Sequence, residues 1–451
     1  MFLDLVYLAT LFLATPFLLY RSLRHGKYRD GWSAKFLGLV PRLEPLADGR
    51  RRIWFHAVSV GEVNLLKPIV AELEAARPDW EFVVSATSKT GFELANRLFG
   101  ARTNVFYCPL DFTWAVKTAL RRLRPDALVL VELELWPNLI AAAKKAGVRV
   151  AVVNGRIGDG SFRSYSRVRR FLAPTFGRID AIVAQDELAA ERFRALTPFR
   201  ERVSVSGSIK FDGVETNRAN PATVRLARLA GIGPDDVVFL CGSSQDPEEA
   251  AALETFRRLR DEFPALKLII VPRHKERFEE VARLLEKSGV PWTRRSTLSD
   301  AAPAAPEAPS SRVLLVDAIG ELGAWWGAAQ IAFVGGSWGT RGGQNMLEPA
   351  GYGAAVSFGP NTRNFRTIVE TLLKADAAVV VSDETETTAF VRRALADVAF
   401  RERLGTAART LTLQNRGATK RTVETLVRLF DAAPASPSRR RRRRARPSNS
   451  R

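Results

Sequence analysis

The sequence predicts an α/β protein of two domains, each a parallel sheet covered by helices, behind an apolar N-terminal helix. Short runs that are apolar on both faces alternate with periodic stretches long enough to cross back over a sheet. The alternation breaks once, at GVETNRANP (213–221), and then resumes. A chain of 451 residues with 46% hydrophobic content can bury more than one core.

From the N-terminus, Phe2 to Tyr20 carries one charge, Asp4, and is followed by Arg21, Arg24, Lys27 and Arg29. A helix rising about 1.5 Å per residue brings residues 1–20 close to the roughly 30 Å of a bilayer core, so a spanning or deeply inserted membrane anchor is expected there, with a helix lying in the interface and a cleaved signal peptide as the alternatives. Its basic flank would keep the domains on the cytoplasmic side of the inner membrane. Asp4 and Pro16 count against a full span.

Residues 21–215 form the first predicted domain. Its strands are RRIWFHAVSV (51–60), EFVVSAT (81–87), ALVLVELE (127–134), VRVAVVN (148–154) and DAIVAQD (180–186), with helices near Glu62, Gly91–Phe99 and Asn138–Ala146 between them. Residues 216–430 repeat the scheme with VVFLCGS (237–243), LKLIIVPR (266–273), RVLLVD (312–317), IAFVGGS (331–337) and AAVSFGP (354–360). The Pro/Ala-rich stretch between Ser299 and Ser311 reads as a mobile surface loop. Residues 431–451, with the unbroken run Arg439–Arg444, read as a disordered tail that is either idle or attracted to anionic lipid. Ligands of open α/β sheets bind beyond the carboxyl ends of the strands, so two such domains imply a cleft between them.

The composition excludes several classes. Cys108 and Cys241 have neither disulfide-framework nor zinc-ligand spacing, and GxxxxGK[ST] and GxGxxG are both missing. The excess of 68 Lys+Arg over 48 Asp+Glu, a formal charge of +20, implies anionic partners without choosing among them. No RRM-like or zinc-finger pattern supports nucleic acid.

Chemistry is expected at a few places. His56 to Glu62 leaves a strand, turns at Gly61 and enters a helix. Glu62 in the first helical turn is either a base held ionised by the helix N-terminus or a capping residue, with His56 orienting its neighbours. Glu132 and Glu134 share a face if their strand persists; one would hydrogen-bond a polar substrate and the other would be structural. Lys210 follows a β run and a glycine, as an anion ligand would. The basic residues Arg167, Arg169 and Arg170 fit a solvated or membrane-facing helix. In the second domain, Gly336, Ser337, Gly342 and Gly343 bracket a loop whose N–H groups can wrap an anion, and Asn345 opens a helix. Glu348 would bind a ribose or close a capping box with Asn345.

Read together, HAVSVGE (56–62), ELELWPN (132–138), NGRI (154–157) with SFRSY (161–165), AQDELAAERF (184–193), GSIKFD (207–212), VPRHKERF (271–278), IGEL (319–322), FVGGS (333–337), GGQNMLEPA (342–350) and FGPNTRNF (358–365) resemble the 3-deoxy-D-manno-octulosonic acid (Kdo) transferases of lipid A biosynthesis. The resemblance covers roughly residues 20–415. It implies a GT-B architecture of two Rossmann-like domains and an inverting transfer of Kdo from CMP-Kdo to a lipid A precursor of the lipid IVA type. No metal or cofactor beyond the donor substrate is implied. Glu62 then matches the catalytic base and ELELWPN the stretch whose glutamate lies at the sugar site. Lys210 and Arg273 match basic donor ligands, and Gly336, Ser337, Gly342, Gly343, Asn345 and Glu348 match the nucleotide loop. Ser208, Ser243-Ser244-Gln245 and Gly160-Ser161 depart from the family pattern. The alternatives are another GT-B transferase using a UDP- or GDP-sugar and a lipid acceptor, and a non-catalytic protein binding anionic lipid or nucleic acid.

Overall fold

A computed structural model describes residues 2–25, 30–47, 50–299 and 311–432. The expected loop at 300–310 and the Arg-rich tail beyond residue 432 lie outside the described residues.

The chain divides into two compact units, residues up to Asp212 together with those from Gly417 onward, and Gly213–Arg416. In the first, strands β1 (Arg51–Ala57), β2 (Trp80–Ala86), β3 (Asn104–Tyr107), β4 (Ala127–Val131), β5 (Arg149–Gly155), β6 (Ala181–Ala184) and β7 (Val203–Val205) form one sheet. Its order is β3-β2-β1-β4-β5-β6-β7, and every pair is parallel. In the second, β8 (Val237–Ser244), β9 (Leu266–Pro272), β10 (Trp292–Arg294), β11 (Val313–Leu315), β12 (Ile331–Val334), β13 (Ala355–Phe358) and β14 (Ala378–Val380) run in the order β10-β11-β9-β8-β12-β13-β14, again all parallel.

Side chains of a strand alternate between the two faces of its sheet, so a strand buried on both faces must be apolar throughout. In the first unit Trp54, Leu128, Leu130 and Val152 feed one core, whereas Ile53, Phe55, Val129 and Val153 feed another. The second core is completed by Leu426 and Phe430, fully buried on helix Ala418–Asp431. Burial of two such side chains stabilises by roughly 1.5–3 kcal/mol each, which explains why the chain returns to the first unit. The sequence reading had carried the second domain through residue 430. Asp212 fixes the return, because its carboxylate accepts hydrogen bonds from the Gly417 and Thr419 N–H groups at the start of that helix.

The N-terminal expectation is corrected. Phe2–His25 is one helix with Pro16 inside it, but among the described residues no helix is long and apolar enough to cross a membrane. The anchor, and the inner-membrane placement that rested on it, are therefore withdrawn. The physical reason lies in the first turn. Asp4 is buried and accepts hydrogen bonds from Thr113 N–H (2.7 Å) and Thr113 Oγ1 (2.7 Å), while the Tyr7 hydroxyl donates to Asp111 (3.1 Å). The start of the apolar run is thus docked by polar bonds to the first unit.

In each sheet the strand order reverses beside the first strand laid down, between β1 and β4 and between β8 and β12. Connections leave in opposite directions at such a point and open a crevice beyond the carboxyl ends of the strands. Loops from β1, β4, β8 and β12 are therefore the ones to inspect. For the return helix, Asp212→Asn turns one acceptor oxygen into a donor facing an N–H group. It is expected to lower stability by about 1–3 kcal/mol and to speed amide exchange at 417–419. Denaturant unfolding with hydrogen exchange reads both; wild-type values would exclude this tether.

Candidate active site

In the first unit, β1 ends at Ala57 and helix Val60–Ala76 begins three residues later. Glu62, buried in the first turn, folds back so that one oxygen accepts from Val58 N–H (2.7 Å) and the other from the Ser59 hydroxyl (2.9 Å). This is close to a capping box, so the local role foreseen for Glu62 is realised. It does not use up the carboxylate, whose oxygens each keep a lone pair. Burial pushes the Glu62 pKa up; the two hydrogen bonds and Lys210 pull it back, and Glu132 adds to the rise.

Glu132 follows the last residue of β4 with φ +58, and its N–H donates to the Val153 carbonyl (2.9 Å). A left-handed glutamate costs on the order of 1–3 kcal/mol and is kept only where its surroundings fix it. The strand therefore ends before the two carboxylates, and the alternation expected to align Glu132 with Glu134 does not apply. Glu134 accepts from Trp136 Nε1 (3.0 Å), and its pKa is pushed up to about 7 by burial first, then by the negative charge of Glu62.

Lys210 lies on a short 3-10 turn, Ile209–Phe211, with its Nζ 3.8 Å from Glu132 Oε1. Asn154 holds that turn: fully buried at the end of β5 with φ +51, it accepts from Ile209 N–H (3.1 Å). One ammonium thus faces a set of three carboxylates brought from β1 and β4. His56 lies beneath, fully buried, with Nδ1 3.0 Å from the Ser85 hydroxyl and its ring edge-on to Trp136. Burial drives its pKa down to about 4, so the ring is neutral near pH 7. Among the described residues no group of three or more His, Cys, Asp or Glu is arranged to hold a metal ion.

In the second unit, the loop after β12 runs through Gly335 to Gly343. The N–H groups of Gly336 and Ser337, expected to meet an external anion, instead donate to the carboxylate of Glu248 at 2.8 and 2.9 Å. The Ser337 hydroxyl donates to the Val334 carbonyl and accepts from Gly359 N–H, which leaves it structural. Gly342 and Gly343 have φ +96 and +80, a region where L side chains are strained. An added Cβ on Gly342 would also lie 2.6 Å from Arg363 Cγ.

Asn345 stands just ahead of helix Leu347–Gly351 and donates to Glu348 (3.1 Å), so Glu348 is engaged in the local pairing. Burial pushes the Glu348 pKa up, while Asn345 and, farther off, Arg273 oppose the rise. Arg273, beyond the end of β9, is exposed and makes no ion pair among the described residues. Burial lowers the pKa of the adjacent His274, and the positive charges of Arg341 and Arg273 lower it further.

The structure brings Glu62, Glu132, Glu134 and Lys210 together in the first unit, and Arg273, Asn345, Glu348 and the glycine loop in the second. Sequence reasoning missed Glu248, three of whose four N–H partners come from the distant loop after β12. It carried Asn154 only as part of NGRI and gave it no positioning role, because its left-handed conformation at the end of β5 and its bond to Ile209 N–H appear only in the fold.

Two parallel α/β units with polar clusters at their switch points give a two-domain fold that is GT-B-like. Solved structures agree on this fold: a putative UDP-N-acetylglucosamine 2-epimerase from Listeria monocytogenes (TM-score 0.57, 13% identity, 85% of this chain and 97% of that one) and a glycosyltransferase from Rickettsia africae (0.56, 10%, 85% and 100%). At such identities only the fold is shared. The sequence carries the family. The model described as 3-Deoxy-D-manno-octulosonic-acid transferase (kdotransferase) matches residues 30–213. The chain is 33% identical to the 3-deoxy-D-manno-octulosonic acid transferase of Bordetella pertussis over 384 residues, covering 83% of this chain and 86% of that protein. It is 31% identical to the enzyme of that name from Haemophilus influenzae (83% and 86%) and 30% identical to that from Chlamydia muridarum (84% and 86%). The chain belongs to the 3-deoxy-D-manno-octulosonic acid transferase family.

The Glu134 carboxyl is expected to titrate near its value of about 7 and to move down in Glu62→Gln, because a neighbouring negative charge has gone. Carboxyl-carbon NMR on a glutamate-labelled protein measures this. An unmoved titration would mean that the two carboxylates do not interact.

Proposed function

We propose that this chain transfers Kdo from CMP-Kdo to a hydroxyl of a lipid A precursor of the lipid IVA type, with inversion at the anomeric carbon. The observation that carries the reading is Glu62: a carboxylate removed from water, with a raised pKa, at the switch point of its sheet and within electrostatic reach of a single lysine and two further carboxylates. Family membership supplies the substrate class.

In this reading the acceptor hydroxyl gives its proton to Glu62 as its oxygen attacks the anomeric carbon. The bond from that carbon to the phosphate oxygen breaks, and CMP departs with the electron pair. Burial makes Glu62 more basic than an exposed glutamate, and its anchoring to Val58 and Ser59 fixes its direction without a separate reorganisation step. A sugar bearing a carboxylate must enter a region of acidic side chains. Lys210 supplies one positive charge there, and Glu134, titrating near neutrality, carries only part of a negative one. Arg273 and the 342–348 loop hold the nucleotide phosphate and ribose, where an exposed guanidinium offsets the charge left on the departing phosphate.

Mass determination of the product from CMP-Kdo and defined lipid A precursors, with UDP- and GDP-sugars as competing donors, tests the assignment; exclusive use of another donor would overturn it. Glu62→Gln should retain CMP binding and lose turnover by about two orders of magnitude or more. Unaffected turnover at matched folded fraction removes Glu62 as the base.

The base must be ionised, so kcat/KM should fall as pH drops through the raised Glu62 pKa. Because Glu132 contributes to that rise, Glu132→Gln should shift the acidic limb to lower pH. A shift to higher pH would contradict the arrangement.

A further inference from the structure

Three consecutive backbone N–H groups pointing at one spot form a nest for an anion. In the loop after β12 such a nest exists, at Gly336, Ser337 and Trp338, and the protein fills it itself. Oε2 of Glu248 accepts from Gly336 N–H (2.8 Å) and Gln245 N–H (2.9 Å); Oε1 accepts from Ser337 N–H (2.9 Å) and Trp338 N–H (3.1 Å). Each oxygen faces two donors, which leaves no room for a proton on either.

The carboxylate is 2% exposed and packed against backbone: a Cβ on Gly335 would lie 2.6 Å from Glu248 Oε2 and 2.6 Å from Ser244 Cα. The loop is also closed from its far side, since Ser337 Oγ accepts from Gly359 N–H (2.8 Å) and the Ser337 carbonyl from Asn361 N–H (2.9 Å). A phosphate could enter this nest only by expelling a buried charge that already has four hydrogen bonds.

We propose that Glu248 is a specificity-determining residue, whose carboxylate takes the place of a phosphate in the 336–338 nest and so restricts the second unit to a donor with a single phosphate. The inference rests on the reading that this unit binds the nucleotide of CMP-Kdo. The single phosphate is left to the Arg273 side of the loop, where the guanidinium is exposed and unpaired among the described residues. A second phosphate finds the 336–338 nest occupied and meets a fixed negative charge there.

The test uses the full chain as wild type, Glu248→Gln and Glu248→Ala. Calorimetry compares CMP with CDP, and hydrogen exchange follows the segment 334–340 with and without inorganic phosphate. In the wild type, exchange of the segment should be unchanged by phosphate or CMP, and CDP should bind no tighter than CMP. In Glu248→Ala the segment should exchange about tenfold faster or more, phosphate should slow it again, and the CDP-to-CMP affinity ratio should rise about tenfold. In Glu248→Gln an amide NH2 group faces two N–H donors, so its segment should also exchange faster, without rescue by phosphate. Protection of the wild-type segment by phosphate or CMP, or an unchanged affinity ratio in the folded Ala variant, overturns the proposal. If Glu248→Ala does not fold, the wild-type exchange and the Gln variant still decide it. Failure of the wild type to bind CMP while the exchange pattern holds would refute the donor reading and leave the filled nest standing.

Discussion

Removing a carboxylate from water costs several kcal/mol unless hydrogen-bond donors replace its hydration. In this protein the donors are repeatedly backbone N–H groups of loops and of first helical turns. Asp111 takes those of Asn138 and Leu139, Asp212 those of Gly417 and Thr419, Glu62 that of Val58, and Glu248 four at once. Each bond fixes the entry of a helix or loop relative to a neighbouring strand. The helices in turn close the two cores of the first sheet. The polar groups are thus structural first, and their chemistry depends on how completely the N–H groups satisfy them.

That degree of satisfaction separates two glutamates that look alike in the chain. Each stands in the first turn of a helix that follows a switch-point strand. Glu248 accepts four hydrogen bonds and has no capacity left; Glu62 accepts two, one from a hydroxyl that can rotate away. Burial raises the pKa of both, but only Glu62 retains lone pairs to take a proton from elsewhere. A base must be desolvated enough to be basic and unsatisfied enough to react.

The central strands were legible because burial on both faces demands continuous apolar runs, as in ALVLV (127–131) and LKLIIV (266–271). Three of the four edge strands were not. β3, β10 and β14 have three or four residues each, need only one neighbour, and leave no run long enough to stand out. The N-terminal apolar stretch misled for a related reason: hydropathy reads composition, whereas Asp4 acts through Thr113, 109 residues away. Glu62 and Lys210 stood out as candidates because glycine, strand end and charge coincide within a few residues. Glu248 escaped because three of its four N–H partners lie 88 to 90 residues away.

The switch point also explains how chains only 13% and 10% identical to this one keep the same two-unit frame. Strand order fixes where loops diverge, and that depends on apolar burial alone. What fills the divergence is set by a few residues that the core does not constrain. In the first unit these are three carboxylates and one ammonium, an excess of negative charge that a polar site tolerates only if a proton or a cation joins it. Glu134, raised to about 7, shows that the proton is partly taken up near neutrality. The charge on Glu62 therefore bears directly on that of Glu134, and in the proposed reading a proton gained by Glu62 would ease the repulsion between them.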